Sequence, residues 1–160
     1  MAAAWMEGVL NQATGPAMAL VGGPWEWVGP HSQPGYVNPS LAVGPDGTAY
    51  VAWAGLDHAP YDVYFAERAP GQAWSVPYNL SNSPSNCVYP DILLDGSGTL
   101  WVVWQDSLSD TNAELYFAAR PAGEGWTGAQ RITYNAVQDL NVRIAEAPAG
   151  PVIVWRQSGR

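Results

Sequence analysis

Ser40, Asp91 and Arg143 stand at one register of an internal repeat and carry three different groups: a hydroxyl, a carboxylate and a guanidinium. Two residues before them come Asn38, Tyr89 and Asn141. A position that served packing alone would tend to keep one residue type. Variation at one register between matched copies is the pattern of a binding site built where several strands share an end. An aromatic face there would stack on a sugar ring, and amide or acidic groups would hydrogen-bond its hydroxyls. The alternative is that Asp91 and Arg143 pair with each other or face water. No catalytic constellation accompanies them. His31 and His58 are isolated, and Asp57, Asp106 and Asp110, read as loop acids after a second strand, match no cation-loop spacing. No catalytic residue, metal or other cofactor is expected.

The elements that would position these groups are announced by tryptophan. Trp5, Trp53, Trp104 and Trp155 are separated by 48, 51 and 51 residues, the range of a propeller, solenoid or similar array. Pro39–Val43 aligns with Pro90–Leu94, and Asp46–Trp53 with Ser97–Trp104. After one inserted residue, Tyr64-Phe65-Ala66-Glu67-Arg68 aligns with Tyr116-Phe117-Ala118-Ala119-Arg120, and Trp74 with Trp126.

Each unit reads as four short strands. In the first they are Ser40–Val43, Thr48–Trp53, Asp62–Arg68 and Trp74–Leu80, the last frayed by Pro77. In the second they are Asp91–Leu94, Thr99–Trp104, Glu114–Arg120 and Trp126–Thr133. Strand two is apolar on both faces, which predicts a sheet sandwiched between two others. Before Pro39, the segments Ala2–Met6, Pro16–Val21 and Trp25–Val28 match strands two, three and four. After Asn141, Arg143–Glu146 and Pro151–Trp155 match strands one and two. The expected fold is all-β, a β-propeller of four-stranded antiparallel blades with about three blades' worth of strands. The divisions are a partial blade at 1–36, blades at 37–87 and 88–140, and a partial blade at 141–160. A β-sandwich is the competing architecture. Trp53, Trp104, Trp155, Trp74 and Trp126 recur with the unit and are expected to pack between blades. Trp25, Trp27, Tyr36, Tyr61, Tyr89 and Tyr134 lie outside the consensus and are better candidates for ligand contact.

The repeat resembles the sialidase-type (BNR-like) propeller blade. Pro90-Asp91-Ile92-Leu93-Leu94-Asp95 through Trp104-Gln105-Asp106 carries one half of that pattern. Tyr64-Phe65-Ala66-Glu67-Arg68, Trp74 and Asn79-Leu80-Ser81 carry the other. The resemblance implies a six-bladed fold and an extracellular or cell-surface setting. It departs in two places. The Asp-box aspartate is missing before Trp74 and Trp126. The arginine triad that holds a sialidase's substrate is not matched either, since Arg68 and Arg120 fall late in strand three and only Arg143 falls at an axial position, with Ala145 breaking the Arg-Ile-Pro signature. The leading expectation is therefore a non-catalytic module binding a glycan or protein surface at a channel mouth formed by Ser40, Asp91, Arg143, Asn38, Tyr89 and Asn141. A sialidase-like hydrolase piece and a purely architectural repeat subunit are the alternatives.

A closed propeller needs four to eight blades, so an arc of three must find a partner for its apolar faces. Either two chains join as a homodimer into a six-bladed ring, or the chain is a fragment of a longer protein. The formal charge of −8 with 12% charged residues argues against nucleic acid and anionic membranes as partners. No apolar run reaches membrane-spanning length, and the first residues lack the pattern of a signal peptide. Cys87 is the single cysteine, so no intrachain disulfide is expected. Asn79-Leu80-Ser81 is formally a glycosylation sequon, better read as a strand-four turn. Six arginines without lysine, beside abundant alanine and glycine, fit a GC-rich bacterial genome.

Overall fold

The computed structural model describes residues 18–19, 26–28, 35–56, 60–109 and 112–158. All its regular elements are β-strands. β1 (Met18–Ala19) and β2 (Glu26–Trp27) form a two-stranded sheet. β3 (Val37–Val43), β4 (Ala49–Gly55), β5 (Asp62–Arg68) and β6 (Tyr78–Asn79) form a four-stranded sheet in chain order. β7 (Asn86–Leu94), β8 (Leu100–Ser109), β9 (Asn112–Arg120) and β10 (Gln130–Arg131) repeat it. β11 (Asp139–Ala147) and β12 (Gly150–Gln157) form a second two-stranded sheet. Every pairing is antiparallel between neighbours in sequence.

Successive side chains of a strand point to opposite faces, and the second strands use both. Val51 and Trp53 face one way, into a cluster with Val28, Tyr64 and Ala66. Ala52 faces the other way and packs with Val63 and Phe65 against Ile92, Val102 and Trp104 of the next sheet. Val103 in turn packs against Val142 and Ile144 of the last. The sheets therefore stack face to face, with β7 lying against β3 and β4, and β11 against β7, β8 and β9. Val28, Leu80 and Ile132 recur at 52-residue intervals just after β2, β6 and β10, and each takes part in one of these three clusters.

Third and fourth strands are tied by an acid in both full sheets, half-buried in the first and buried in the second. Asp62 accepts hydrogen bonds from Ser81 Oγ at 2.5 Å, Asn79 Nδ2 at 2.8 Å and Ser83 N at 3.1 Å. Glu114, fully buried, accepts from Thr133 Oγ at 2.5 Å and Asn135 N at 3.1 Å, and Arg131 Nη2 lies 2.7 Å away. Ser81 and Thr133 also accept the N–H of Val63 and Leu115. The Asn79-Leu80-Ser81 sequence is thus this fastening, with the amide of Asn79 engaged by Asp62.

Several boundaries differ from the sequence reading. The fourth strands shrink to two residues, and in the first full sheet Pro77 has no N–H to give the ladder. The first strands are longer, running through Pro39 and Pro90 because a bulge accommodates each proline. Asp106, expected in a loop, lies within β8 and is buried. Tyr36, expected as a ligand contact, packs against Trp53 with ring centroids 6.4 Å apart. Trp53 and Trp104 are core residues as expected, and Trp126 packs edge-on against Phe65 of the neighbouring sheet at 4.9 Å. Trp155 departs from them: it stays half exposed and donates from Nε1 to Asp139 at 2.9 Å. The segment Ala2–Met6, Trp25, His31, Asp57, His58 and Asp110 lie outside the described residues.

Candidate functional site

Each first strand breaks register at the same place. Between Val37 and Ser40, Val88 and Asp91, and Leu140 and Arg143, two residues oppose one on the partner strand. This is a β-bulge, a device that re-aims side chains. Its pivots have positive φ: 55° at Asn38, 54° at Tyr89 and 56° at Asn141. Asparagine tolerates this left-handed conformation, whereas a tyrosine there is strained by roughly 1–2 kcal/mol.

The bulges bring the varied register together. Ser40 Oγ donates to Asp91 Oδ1 at 2.7 Å and accepts the N–H of Ile92 at 3.3 Å. Asp91 Oδ2 accepts the N–H of Ile144 at 2.9 Å. Ser40 and Asp91 therefore do one job: each receives the backbone N–H that follows the register position in the next sheet. Arg143 has no acceptor and breaks the series. Its Nη1 donates to its own neighbour, Val142 O, at 2.8 Å, and among the described residues it forms no ion pair. The pairing of Asp91 with Arg143 that the sequence left open is not made. Ser40, Asp91 and Arg143 line a cavity of about 260 Å³ with Asn38, Pro39, Tyr89 and Pro90.

Tyr89 also lines a second, larger cleft of about 660 Å³ beside it. That cleft holds Asn86, Gln105, Ser107, Gln138, Asn141 and Arg156. Gln105 was not singled out from the sequence, where it reads as the residue after a repeat tryptophan. It is buried, its Nε2 reaches Ser107 Oγ at 3.4 Å, and its Oε1 has no hydrogen-bond partner among the described residues. A buried unpaired carbonyl is costly and is a natural point for a donor to bind. Five of the six residues expected at the channel mouth, Ser40, Asp91, Arg143, Asn38 and Tyr89, share the smaller cavity, and Asn141 joins Tyr89 in the larger.

The other aromatic candidates are scattered. Tyr61 precedes β5, and its carbonyl accepts the N–H of Cys87 at 2.8 Å. Tyr134 is exposed beneath the Arg131 guanidinium, 4.6 Å from its ring centroid. Trp27 lies in β2. The remaining arginines in β5, β9 and β10 are engaged elsewhere. Arg68 lies over Trp74, Arg120 grips Glu67 through both oxygens at 3.1 and 2.5 Å, and Arg131 pairs with Glu114.

A third cavity, of about 310 Å³, includes Trp104, Asp106 and Tyr116. Behind it, burial and the Asp106 carboxylate push the Cys87 thiol up to about 12, so it stays protonated at neutral pH. Burial, aided by Asp106, also raises the Tyr116 phenol above its ordinary value. At the opposite tips of the sheets, Asp46 and Asp95 organise the hairpins. Backbone and side-chain donation from Thr48 lowers the Asp46 carboxyl. At Asp95 burial pushes upward, but donors from Ser97, Trp101 and Thr99 outweigh it and the carboxyl is also lowered. Among the described residues no three His, Cys, Asp or Glu side chains gather as a metal site.

Compared with protein-family models the chain matches none, and a search of curated proteins likewise gives no match, so the resemblance to sialidase-type blades rests on the residues quoted for it.

Proposed function

We propose that this chain is a non-catalytic β-propeller module, its sheets serving as blades, that binds a glycan where the first strands meet. The propeller reading is supported by repeated four-stranded meanders stacked face to face with β3, β7 and β11 innermost. The binding reading is carried by Tyr89. At a pivot where the two sister positions hold asparagine, the chain keeps a strained tyrosine that lines both clefts. Strain retained at such a point is a mark of function. Around it stand amides and hydroxyls, with the unpaired Gln105 carbonyl ready to accept from a sugar hydroxyl. This polar lining favours a glycan over an apolar protein surface. A glycan array followed by calorimetry on the best hit tests the proposal. Micromolar to millimolar binding that Tyr89→Asn abolishes is the expected result. No glycan bound, or binding indifferent to Tyr89→Asn, would defeat it.

A further inference from the structure

The two half sheets are complementary parts of one sheet. β11 and β12 pair as first and second strands do, with Val154 opposite Arg143 as Ala52 is opposite Ser40 and Val103 opposite Asp91. β1 and β2 pair as third and fourth strands do, since Glu26, Tyr78 and Gln130 recur every 52 residues and pair with Ala19, Phe65 and Phe117. Among the described residues β12 has no third strand along its outer edge, and β1 has no second.

The faces are complementary too. Leu41 is 59% exposed, whereas its equivalents Ile92 and Ile144 are 6% and 8% exposed under the preceding sheet. Val154 is 59% exposed on the opposite face, whereas Val103 and Ala52 are 0% exposed under the following sheet. Each exposed face continues the sheet-to-sheet packing that the chain already makes internally, and each wants the residues that the other presents.

We propose that two copies of this chain join head to tail, β1–β2 of one completing the β11–β12 sheet of the other. Two full sheets and two half sheets per copy then give a ring of six sheets with a two-fold axis along its centre. At each junction Val154 pairs with the partner's Ala19, as Ala52 and Val103 pair with Phe65 and Phe117. The Val154 face covers the partner's Leu41. Arg143 sits at the junction, where no acceptor draws in the next sheet's N–H, so the inner mouth stays open there. This inference is independent of what the mouth binds.

Light scattering on the eluted chain is expected to give the mass of two copies. Leu41→Glu and Val154→Glu should each give a folded species of half that mass, since both side chains are exposed in the single chain. The double variant Ala19→Cys/Val154→Cys should form an interchain disulfide on oxidation, while neither single variant does. A monomeric parent chain, a mass other than two copies, or an intrachain disulfide in the double variant would overturn the proposal.

Discussion

At the inner register, Ser40 and Asp91 differ in chemistry yet receive the same backbone N–H from the next sheet. Between the third and fourth strands, Asp62 and Glu114 differ in length yet receive the same side-chain hydroxyl, from Ser81 and Thr133. The two regions teach the same lesson. A change of residue type between repeats leaves the architecture intact while the sense of the hydrogen bond is kept. Arg143 reverses that sense, from acceptor to donor, and Tyr89 replaces a tolerant residue at a strained pivot. Those two departures, rather than variation as such, single out the candidate site.

The comparison breaks most visibly at the clasp. Glu114→Ala leaves Arg131 without its carboxylate, and the buried Thr133 hydroxyl and half-buried Asn135 N–H without their acceptor, and should cost about 3–5 kcal/mol, toward the lower end because Arg131 reaches solvent. Urea denaturation reads this directly, and a loss below 1 kcal/mol would make the clasp ornamental. Asp91→Ala should cost about 1–3 kcal/mol by orphaning the Ile144 N–H. Arg143→Ala, at the same register, should change stability by no more than about 0.5 kcal/mol. Equal losses at the two positions would erase the distinction drawn between them.

A smaller effect separates the hairpin tips from both regions. Because the folded-state carboxyls of Asp46 and Asp95 are depressed below their ordinary 3.8, their stabilisation is complete above that value and is lost as pH falls through the folded-state one. The urea midpoint should therefore drop as pH falls below about 4, and drop less in Asp95→Asn. The smallest expected signal is chemical. Cys87, buried and protonated, should resist a thiol reagent at neutral pH in the folded chain and react at once in denaturant.

Much of the architecture was legible because the repeat carries it. The second strands, apolar on both faces, announced stacked sheets, and the equivalence of Pro39 and Pro90 placed the inner register. What stayed hidden was local backbone geometry. Nothing in the residue types of Asn38, Tyr89 and Asn141 states that a bulge turns there, so the sequence pattern starts the first strands at Ser40 and Asp91, after the prolines. Asp106 was taken as a loop acid because a charge after Trp104 looks like the end of a strand, whereas β8 continues through it. Gln105 was missed because an amide beside a buried tryptophan carries no signature until the cleft around it is seen. Trp155 resembles Trp53 and Trp104 in sequence, and its exposure follows from which sheet faces are covered.

The most direct test is Tyr89→Asn, with unfolding midpoint and glycan affinity measured on the same preparation. Stability is expected to hold or rise, because asparagine suits the 54° φ, while affinity is lost. A protein that is destabilised, or that binds as before, would contradict this expectation.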